Sequence, residues 1–531
     1  MGRIKVLDCT LRDGGYINEW KFGKSTIKSI IEKLQKAKLD IIEVGFLTEA
    51  VEDDDYSLFD DLEVLREMAG NKSDDSMLVA MIAIGEKEIE PSILPEYDGK
   101  SIDGIRITFH RNEVNKAIAW AEIIKDKGYK VFMQPVGTLF YEDADLLELV
   151  RKMNELEPYA LYIVDTLGSM YRNELMYMFY LIDRNLSAKI HMGFHPHNNL
   201  QLAFSNAQEL SRIATTRTII IDSSVFGMGR GAGNLPTELV TQYINKSIEP
   251  QYDVTTVLEI YDEHISLIEE NYDWGYGMAY NIAANNVCHP NYASFLMNKQ
   301  TLTMKDIEKI IISIPKEKKE LFNKALIEEL YLHYQNNKID DSDEIKTLKD
   351  MISEKPVLVL APGRSLVDEQ TKVVDYVAKM NPYIISVNFV DDNFEIDSCF
   401  VSNHKRVESV EEGMRKTAKT TVIATSNIPK SELLECLNVD YYSYINQDEI
   451  VFDNAGLMLL KLLIKCKVPS VTLAGFDGFR TRYNENYYNE KLNIHVNELE
   501  IQEKQKRMKQ QLEAIQKEMD IEFLTKSIYE E

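Results

Sequence analysis

Over about the first 240 residues of this 531-residue chain, a short apolar run is followed eight times by a stretch whose apolar residues recur at three- and four-residue spacing. The runs are RIKVLD at the start, then residues 40–47, 77–85, 104–110, 130–137, 160–168, 189–197 and 218–227. Each reads as a buried strand, and intervening segments such as KSTIKSIIEKLQKAK and NEVNKAIAWAEIIKDKG read as helices. Strand followed by helix, eight times over, predicts an α/β chain that opens with a (β/α)8 TIM barrel; a doubly wound open sheet is the alternative. In a barrel the residues at the carboxyl ends of the strands share one mouth, so the polar residues there are predicted to converge.

Those ends are chemically loaded. KVLDCTLRDGGYINEW, residues 5–20, brings Arg12 and Asp13 after the first strand; Glu43 lies on the second, His110 follows the fourth and Asp165 closes the sixth. His195 and His197 close the seventh, and residues two apart on an extended chain turn to one face. Two imidazoles with the Asp13 carboxylate suit one divalent metal and leave coordination positions open for substrate. GMGRGAGN, residues 227–234, is a glycine-rich turn after the eighth strand.

Charge and cysteine usage narrow the partners. Lys and Arg number 60 against 86 Asp and Glu, a net charge of −26 that repels nucleic acid and anionic membranes overall. No apolar run approaches the roughly 18 residues of a membrane span, and the start lacks a signal-peptide core. Five scattered cysteines without a Cys-x-x-Cys pair argue for reduced thiols, so a cytoplasmic location is expected.

TLRDGG, IEVGF, HPHNNLQLAFSN and GMGRGAGN, in this order over roughly residues 1–300, together resemble the DRE-TIM metallolyase family. That family includes hydroxymethylglutaryl-CoA lyases, isopropylmalate and homocitrate synthases, and 4-hydroxy-2-oxovalerate aldolases. The resemblance implies a barrel that binds a divalent cation, with Asp13, His195 and His197 at the ligand positions and Asn234 as a further ligand. Arg12 would hold the substrate's enolate oxygen, and Glu43 matches the second-strand glutamate of the lyases. Arg230-Gly231 and Asn199 stand where the acetyl-CoA-using synthases carry a glutamate-arginine pair and an aspartate, so the chain looks more like the aldolases. NYASFL, residues 291–296, resembles their tyrosine-bearing segment and would bring Tyr292 near the site. One position departs: Tyr16 stands where the aldolases have their acid/base histidine.

Cleaving a carbon-carbon bond beside a carbonyl requires an enolate, which a divalent metal (manganese, magnesium or cobalt) stabilises as a Lewis acid. A 2-oxo acid such as pyruvate can chelate the ion through its keto and carboxylate oxygens while Arg12 donates to the oxyanion. Tyr16 or Tyr292 could act as base if the metal or Arg12 lowers a pKa that is ordinarily about 10, or through a bound water; His110 is the alternative.

Past residue 300 the rhythm changes. Residues 301–354 are charged and helical and read as a connector. KPVLVLAPGRSLVDEQTKVVDYVAK then restarts a strand-turn-helix pattern, followed by YIISVNF, SCFVSN, TTVIATS and SVTLAGFDGF. A Rossmann-like domain is predicted over 355–531, with Gly363, Arg364 and Ser365 as an anion seat at a helix start. It resembles domains found beside glycosyltransferases, which implies a nucleotide or nucleotide-sugar partner. Asn403-His404-Lys405-Arg406 could hold a phosphate. Three functions are therefore expected to compete. The first is a metal-dependent aldolase joining or cleaving a pyruvate-like unit and an aldehyde, a sugar-derived one included. The second is an acyl-CoA-dependent Claisen condensation, and the third a catalytically decayed barrel beside a nucleotide-binding domain. Keeping Arg12, Asp13, His195 and His197 together weighs against decay. A homo-oligomer is compatible with the sequence, which is silent on oligomeric state.

Overall fold

A computed structural model describes residues 3–49, 53–70, 72–335, 338–391, 393–415, 420–428, 436–446, 448, 450–480, 486–488 and 498–530. The chain forms two compact units, 1–294 with 314–323 and 295–313 with 324–531. In the first, eight parallel strands close on themselves: β1 (Ile4–Asp8), β2 (Ile41–Leu47), β3 (Met77–Ala83), β4 (Gly104–Phe109), β5 (Lys130–Pro135), β6 (Ala160–Asp165), β7 (His191–Pro196) and β8 (Ile219–Ser223). Each pairs with its neighbour in sequence, and β1 closes the ring on β8 (Ile4 opposite Ile219) and on β2 (Leu7 opposite Ile41). The expected TIM barrel is thus present.

Period-two alternation sorts the strand residues. One face packs outward on the helices, as with Val6 and Ile42 against Ile27, Ile30, Ile31 and Leu34 of helix Lys24–Lys36. The other face points into the barrel, where Leu7, Ile41, Val79, Phe132 and Ile220 form an apolar layer. Two residues further along, the inward positions turn polar, Ile41 giving way to Glu43 and Ile220 to Asp222, both buried. Gly193 stands opposite Tyr162 in register, and a Cβ there would lie 2.3 Å from the tyrosine ring.

The second unit is a seven-stranded parallel sheet: β9 (Val357–Leu360), β10 (Tyr383–Val387), β11 (Ser398–Val401), β12 (Thr421–Thr425), β13 (Cys436–Val439), β14 (Ser470–Ala474) and β15 (Asp520–Phe523). Its order is β13-β12-β11-β10-β9-β14-β15, so the winding reverses between β9 and β14. Helix Ala455–Lys465 is buried along most of its length, as expected for a helix packed on such a sheet.

The connector expected over 301–354 is not a body of its own. Thr301 Oγ1 and the Tyr331 hydroxyl donate to Asp453 (3.1 and 2.5 Å), His404 Nδ1 pairs with Asp306 (2.8 Å), and Leu348 and Ile352 join the core of the second sheet. Residues 314–323 belong to the barrel unit instead, where the carbonyls of Lys318 and Leu321 accept from the Tyr292 hydroxyl. Few buried positions per turn made these helices look solvated. Among the described residues no helix is long and apolar enough to cross a membrane.

Gly193→Ala should force the Tyr162 ring aside and cost roughly 1–3 kcal/mol, the usual penalty for overpacking a filled core. A urea titration of the variant against the parent measures it.

Candidate metal centre

The turn after β1 is held by local bonds. Asp13 N–H and Arg12 N–H both donate to the Cys9 carbonyl (2.8 and 3.1 Å), and Trp20 Nε1 donates to the Arg12 carbonyl (2.8 Å). A Cβ on Gly15 would lie 2.2 Å from the Trp20 indole, so the second glycine of TLRDGG is there to admit that ring. Arg12 and Asp13 are thereby fixed in the mouth, 5% and 3% exposed.

Asp13, His195 and His197 come together there, each offering a ligand atom within 4.8 Å of the others. His195 Nδ1 lies 2.9 Å from Asp222 Oδ2 and His197 Nδ1 lies 3.0 Å from the Asp165 carbonyl. Both partners can only accept, so both Nδ1 atoms carry the proton and both Nε2 lone pairs are free to ligate. These point toward Asp13 Oδ2, at 3.9 Å from His195 and 3.3 Å from His197. Two imidazole lone pairs converging on a carboxylate repel one another unless a cation sits among them, so the donor set fits a divalent ion with nitrogen and oxygen ligands. Burial, against the opposing pull of Asp222, pushes the His195 pKa down to about 4, which keeps the ring neutral. Burial drives the Asp13 carboxyl upward, but the Arg12 guanidinium beside it outweighs burial and holds Asp13 well below the usual range.

Asn234 is delivered by the glycine-rich turn, where Gly233 takes a φ of +76° and Asn234 N–H donates to the Gly227 carbonyl (2.9 Å). Its amide donates to Asp13 Oδ2 (2.6 Å), and its buried Oδ1 has no hydrogen-bond partner among the described residues. It borders the cage.

Behind the cage lies a charged network that sequence reasoning missed. Arg106 of β4, with no exposed surface, donates from Nη1 to Glu43 (2.7 Å) and from Nη2 to Asp222. Glu43 Oε2 also accepts from Arg12 Nε (2.8 Å), and Arg12 Nη1 pairs with Asp13. Glu43 therefore grips the arginine rather than the ligand cage. Counting Arg12 and Arg106 against Asp13, Glu43 and Asp222 leaves one net negative charge, which a divalent ion would more than balance. Asp165, its carboxyl pushed up to about 6 by burial, caps the backbone of Ser169 and Met170 while its carbonyl orients His197.

The two tyrosines expected near the chemistry behave differently. Tyr16 is at the mouth, its ring against Trp20 (4.7 Å between centroids) and under Arg230 (4.3 Å), with its hydroxyl donating to Glu86 (3.2 Å). Burial, then the charge of Glu86, pushes its pKa well up, so this phenol is a poor base. Tyr292 has no exposed surface, and its hydroxyl is taken up by the carbonyls of Lys318 and Leu321 and by Asn323 N–H (3.0 Å); the structure commits it to the 318–323 loop. His110 ends β4, with a buried Nδ1 that has no hydrogen-bond partner among the described residues. Three residues before Tyr292 stands His289, an imidazole that the sequence did not single out. Burial, then Arg230, His197 and His110, push its pKa down to about 3, and its Nδ1 accepts from Asn291 N–H (3.2 Å), which leaves the proton on Nε2.

The Gly363-Arg364-Ser365 turn lies in the other unit. There Asp477 accepts from Ser365 N–H (2.7 Å) and from Ser365 Oγ, so the expected anion seat is filled by the protein's own carboxylate. Helix Ser365–Asp368 spans only four residues, too few for a useful dipole.

Asp222→Asn keeps the shape of the side chain but breaks its charge pairing with Arg106 and weakens its hold on His195. Divalent-ion affinity, read by isothermal titration, should fall about 10- to 100-fold while far-ultraviolet circular dichroism is unchanged.

Comparison with known proteins places this geometry. Residues 104–263 match the HMGL-like family model. A 4-hydroxy-2-oxovalerate aldolase of Geobacillus genomosp. 3 is 28% identical over 273 residues, covering 48% of this chain and 75% of that protein. A second, from Thermomicrobium roseum, is 27% identical over 267 residues, covering 48% and 70%. An oxaloacetate decarboxylase of Mycobacterium tuberculosis is 26% identical over 243 residues, covering 45% and 70%. With four motifs at the strand ends, a closed parallel barrel and an Asp-His-His cage in its mouth, the N-terminal unit carries a match to the HMGL-like family model over residues 104–263 and is similar to the 4-hydroxy-2-oxovalerate aldolases.

Proposed function

We propose that the barrel forms or cleaves a carbon-carbon bond beside the carbonyl of pyruvate or a similar 2-oxo acid, with an aldehyde as partner, a sugar-derived one included. The observation that carries this reading is the Asp13-His195-His197 cage with the Arg12 guanidinium bonded to the same aspartate. A divalent ion held by these residues, manganese, magnesium or cobalt, would supply Lewis-acid polarisation of the substrate oxygens. Arg12, gripped by Glu43 and Asp13, offers a pre-oriented, charge-assisted donor to the oxyanion that develops on the 2-oxo acid. Its cost of reorganisation is small because Glu43 is itself pinned by Arg106.

Proton handling falls to histidine. We assign to His289, through its Nε2–H, the donation of a hydrogen bond to the oxygen of the aldehyde partner. A neutral imidazole is the form suited to that task, and the depressed pKa keeps it neutral across physiological pH. His110, just past β4, remains the candidate base. Loss of an aldehyde and loss of carbon dioxide from an oxaloacetate-like acid would pass through the same pyruvate enolate, so the activities named for the similar proteins share this half-reaction. The reading includes a cytoplasmic location.

Deuterium exchange into the pyruvate methyl group, followed by proton NMR with added divalent ion, tests the half-reaction without knowledge of the aldehyde. Arg12→Lys should keep its metal and lose on the order of a hundredfold in exchange rate, the usual size for one oxyanion donor. Wild-type protein that binds the ion yet exchanges nothing would remove the 2-oxo acid from the reading. In the complete reaction Tyr16→Phe should retain most turnover, whereas His289→Gln should lose about 10²-fold or more with exchange largely intact. Equal turnover of the two variants would return the acid to another group.

A further inference from the structure

The second unit contains a cavity of about 700 Å³ that the barrel chemistry does not use. Its floor is formed where β9 and β14 end, by Gly363 and Gly475, at the point where the winding of the sheet reverses. Loops leaving the two strands diverge there, and open α/β sheets receive ligands in that crevice.

Two buried hydroxyls line the cavity without a hydrogen-bond partner among the described residues: Ser402 Oγ just past β11, 3% exposed, and the Tyr529 hydroxyl, 8% exposed. Protein interiors rarely leave such groups unsatisfied, so a side-chain rotation that turns either hydroxyl to the cavity would gain it a partner. Helix Ala455–Lys465 begins at the same cavity. Asn454 Oδ1 caps Leu457 N–H (3.2 Å) and the Asn454 carbonyl takes Met458 N–H (3.0 Å), leaving the amides of Ala455 and Gly456 on the cavity wall. That positive helix end faces the same space as Arg406. Two of the carboxylates on the wall are directed at their own chain, Asp453 at Thr301 and Tyr331, and Asp477 at Ser365. Phe295, Phe479 and Tyr487 supply flat apolar surface. Of the basic tetrad, Asn403 and Arg406 reach the cavity, whereas His404 pairs with Asp306.

We infer that this cavity binds a nucleoside phosphate, with the phosphate at the start of helix Ala455–Lys465 beside Arg406, the base against the aromatic wall, and Ser402 and Tyr529 bonded to the sugar or base. Of the Gly363-Ser365 turn only Gly363 lines this cavity. This inference is independent of the aldolase reading, because it concerns binding in the other unit.

Isothermal titration of the full chain with CMP, UMP, AMP and GMP, their hexose-linked diphosphate forms where these exist, and inorganic phosphate tests it. At least one nucleoside phosphate should bind well above inorganic phosphate. Arg406→Gln should weaken that ligand about tenfold or more, the usual loss for one charge-assisted bond. Tyr529→Phe and Ser402→Ala should also weaken it while leaving the melting temperature of the ligand-free protein equal or higher, because each removes an unpaired buried hydroxyl; a merely structural role would lower it. Arg364→Gln, at the turn outside the seat, should bind as the parent does. Tighter binding of a sugar-linked form identifies a nucleotide sugar as the source, and tighter binding of the bare nucleotide identifies a mononucleotide. If no nucleoside phosphate outbinds inorganic phosphate, or if Arg406→Gln, Tyr529→Phe and Ser402→Ala all bind like the parent, the inference is overturned.

Discussion

Arg106 is the residue on which the barrel mouth depends. It carries a full charge at zero exposure; burial pulls its pKa down, and Asp222 and Glu43 outweigh that and hold it above its usual value. Each of those carboxylates has a second duty, Glu43 to hold Arg12 and Asp222 to hold His195. One guanidinium from β4 therefore sets the position of Arg12 on the first loop and of His195 on β7. Buried ion pairs seldom add net stability, since desolvation cancels most of the Coulomb attraction. What this one contributes is geometry: side chains from five different strands or strand ends are fixed relative to one another.

The layering of the barrel explains why such a network is tolerable. The apolar layer of Leu7, Ile41, Val79, Phe132 and Ile220 closes one end against water, and the charged layer sits directly beyond it. In this low-dielectric setting every charge must find a counter-charge, and the protein side chains stop one positive charge short. The deficit falls beside Asp13, where two imidazole lone pairs also converge. Charge balance and ligand geometry thus ask for the same thing at the same place.

How much of this could be read from the residues varies with the kind of signal. The strand rhythm, the His-x-His pair and the TLRDGG turn are local patterns, and the fold and the cage followed from them. Arg106 was invisible because in GIRITF it alternates with isoleucines, the pattern of an ordinary strand with one solvated face; only closure of the sheet turns that face inward. Asp222 was hidden the same way at the end of an isoleucine run. The segment around Tyr292 resembles its counterpart in the aldolases, but the fate of the phenol depends on residues 318–323, which carry no motif. His289 had no spacing relation to the other ligands and could be found only once the chain was folded. At Gly363-Ser365 the turn has the composition of an anion seat, and the carboxylate that fills it comes from a loop more than a hundred residues away.

The interleaving of the two units has a consequence for biosynthesis. A ribosome has released the eighth barrel strand by residue 223, yet the loop that takes up the Tyr292 hydroxyl arrives only with residues 318–323. Between them emerges 295–313, a segment of the second unit whose sheet does not begin until Val357. Helix Met304–Ser313, which buries Ile307, Ile310 and Ile311, meets helix Lys324–Gln335 early, but its Asp306 must wait for His404, almost a hundred residues later. Vectorial folding of this chain cannot proceed strictly one unit after the other, because a segment of the second unit is made before the last segment of the first.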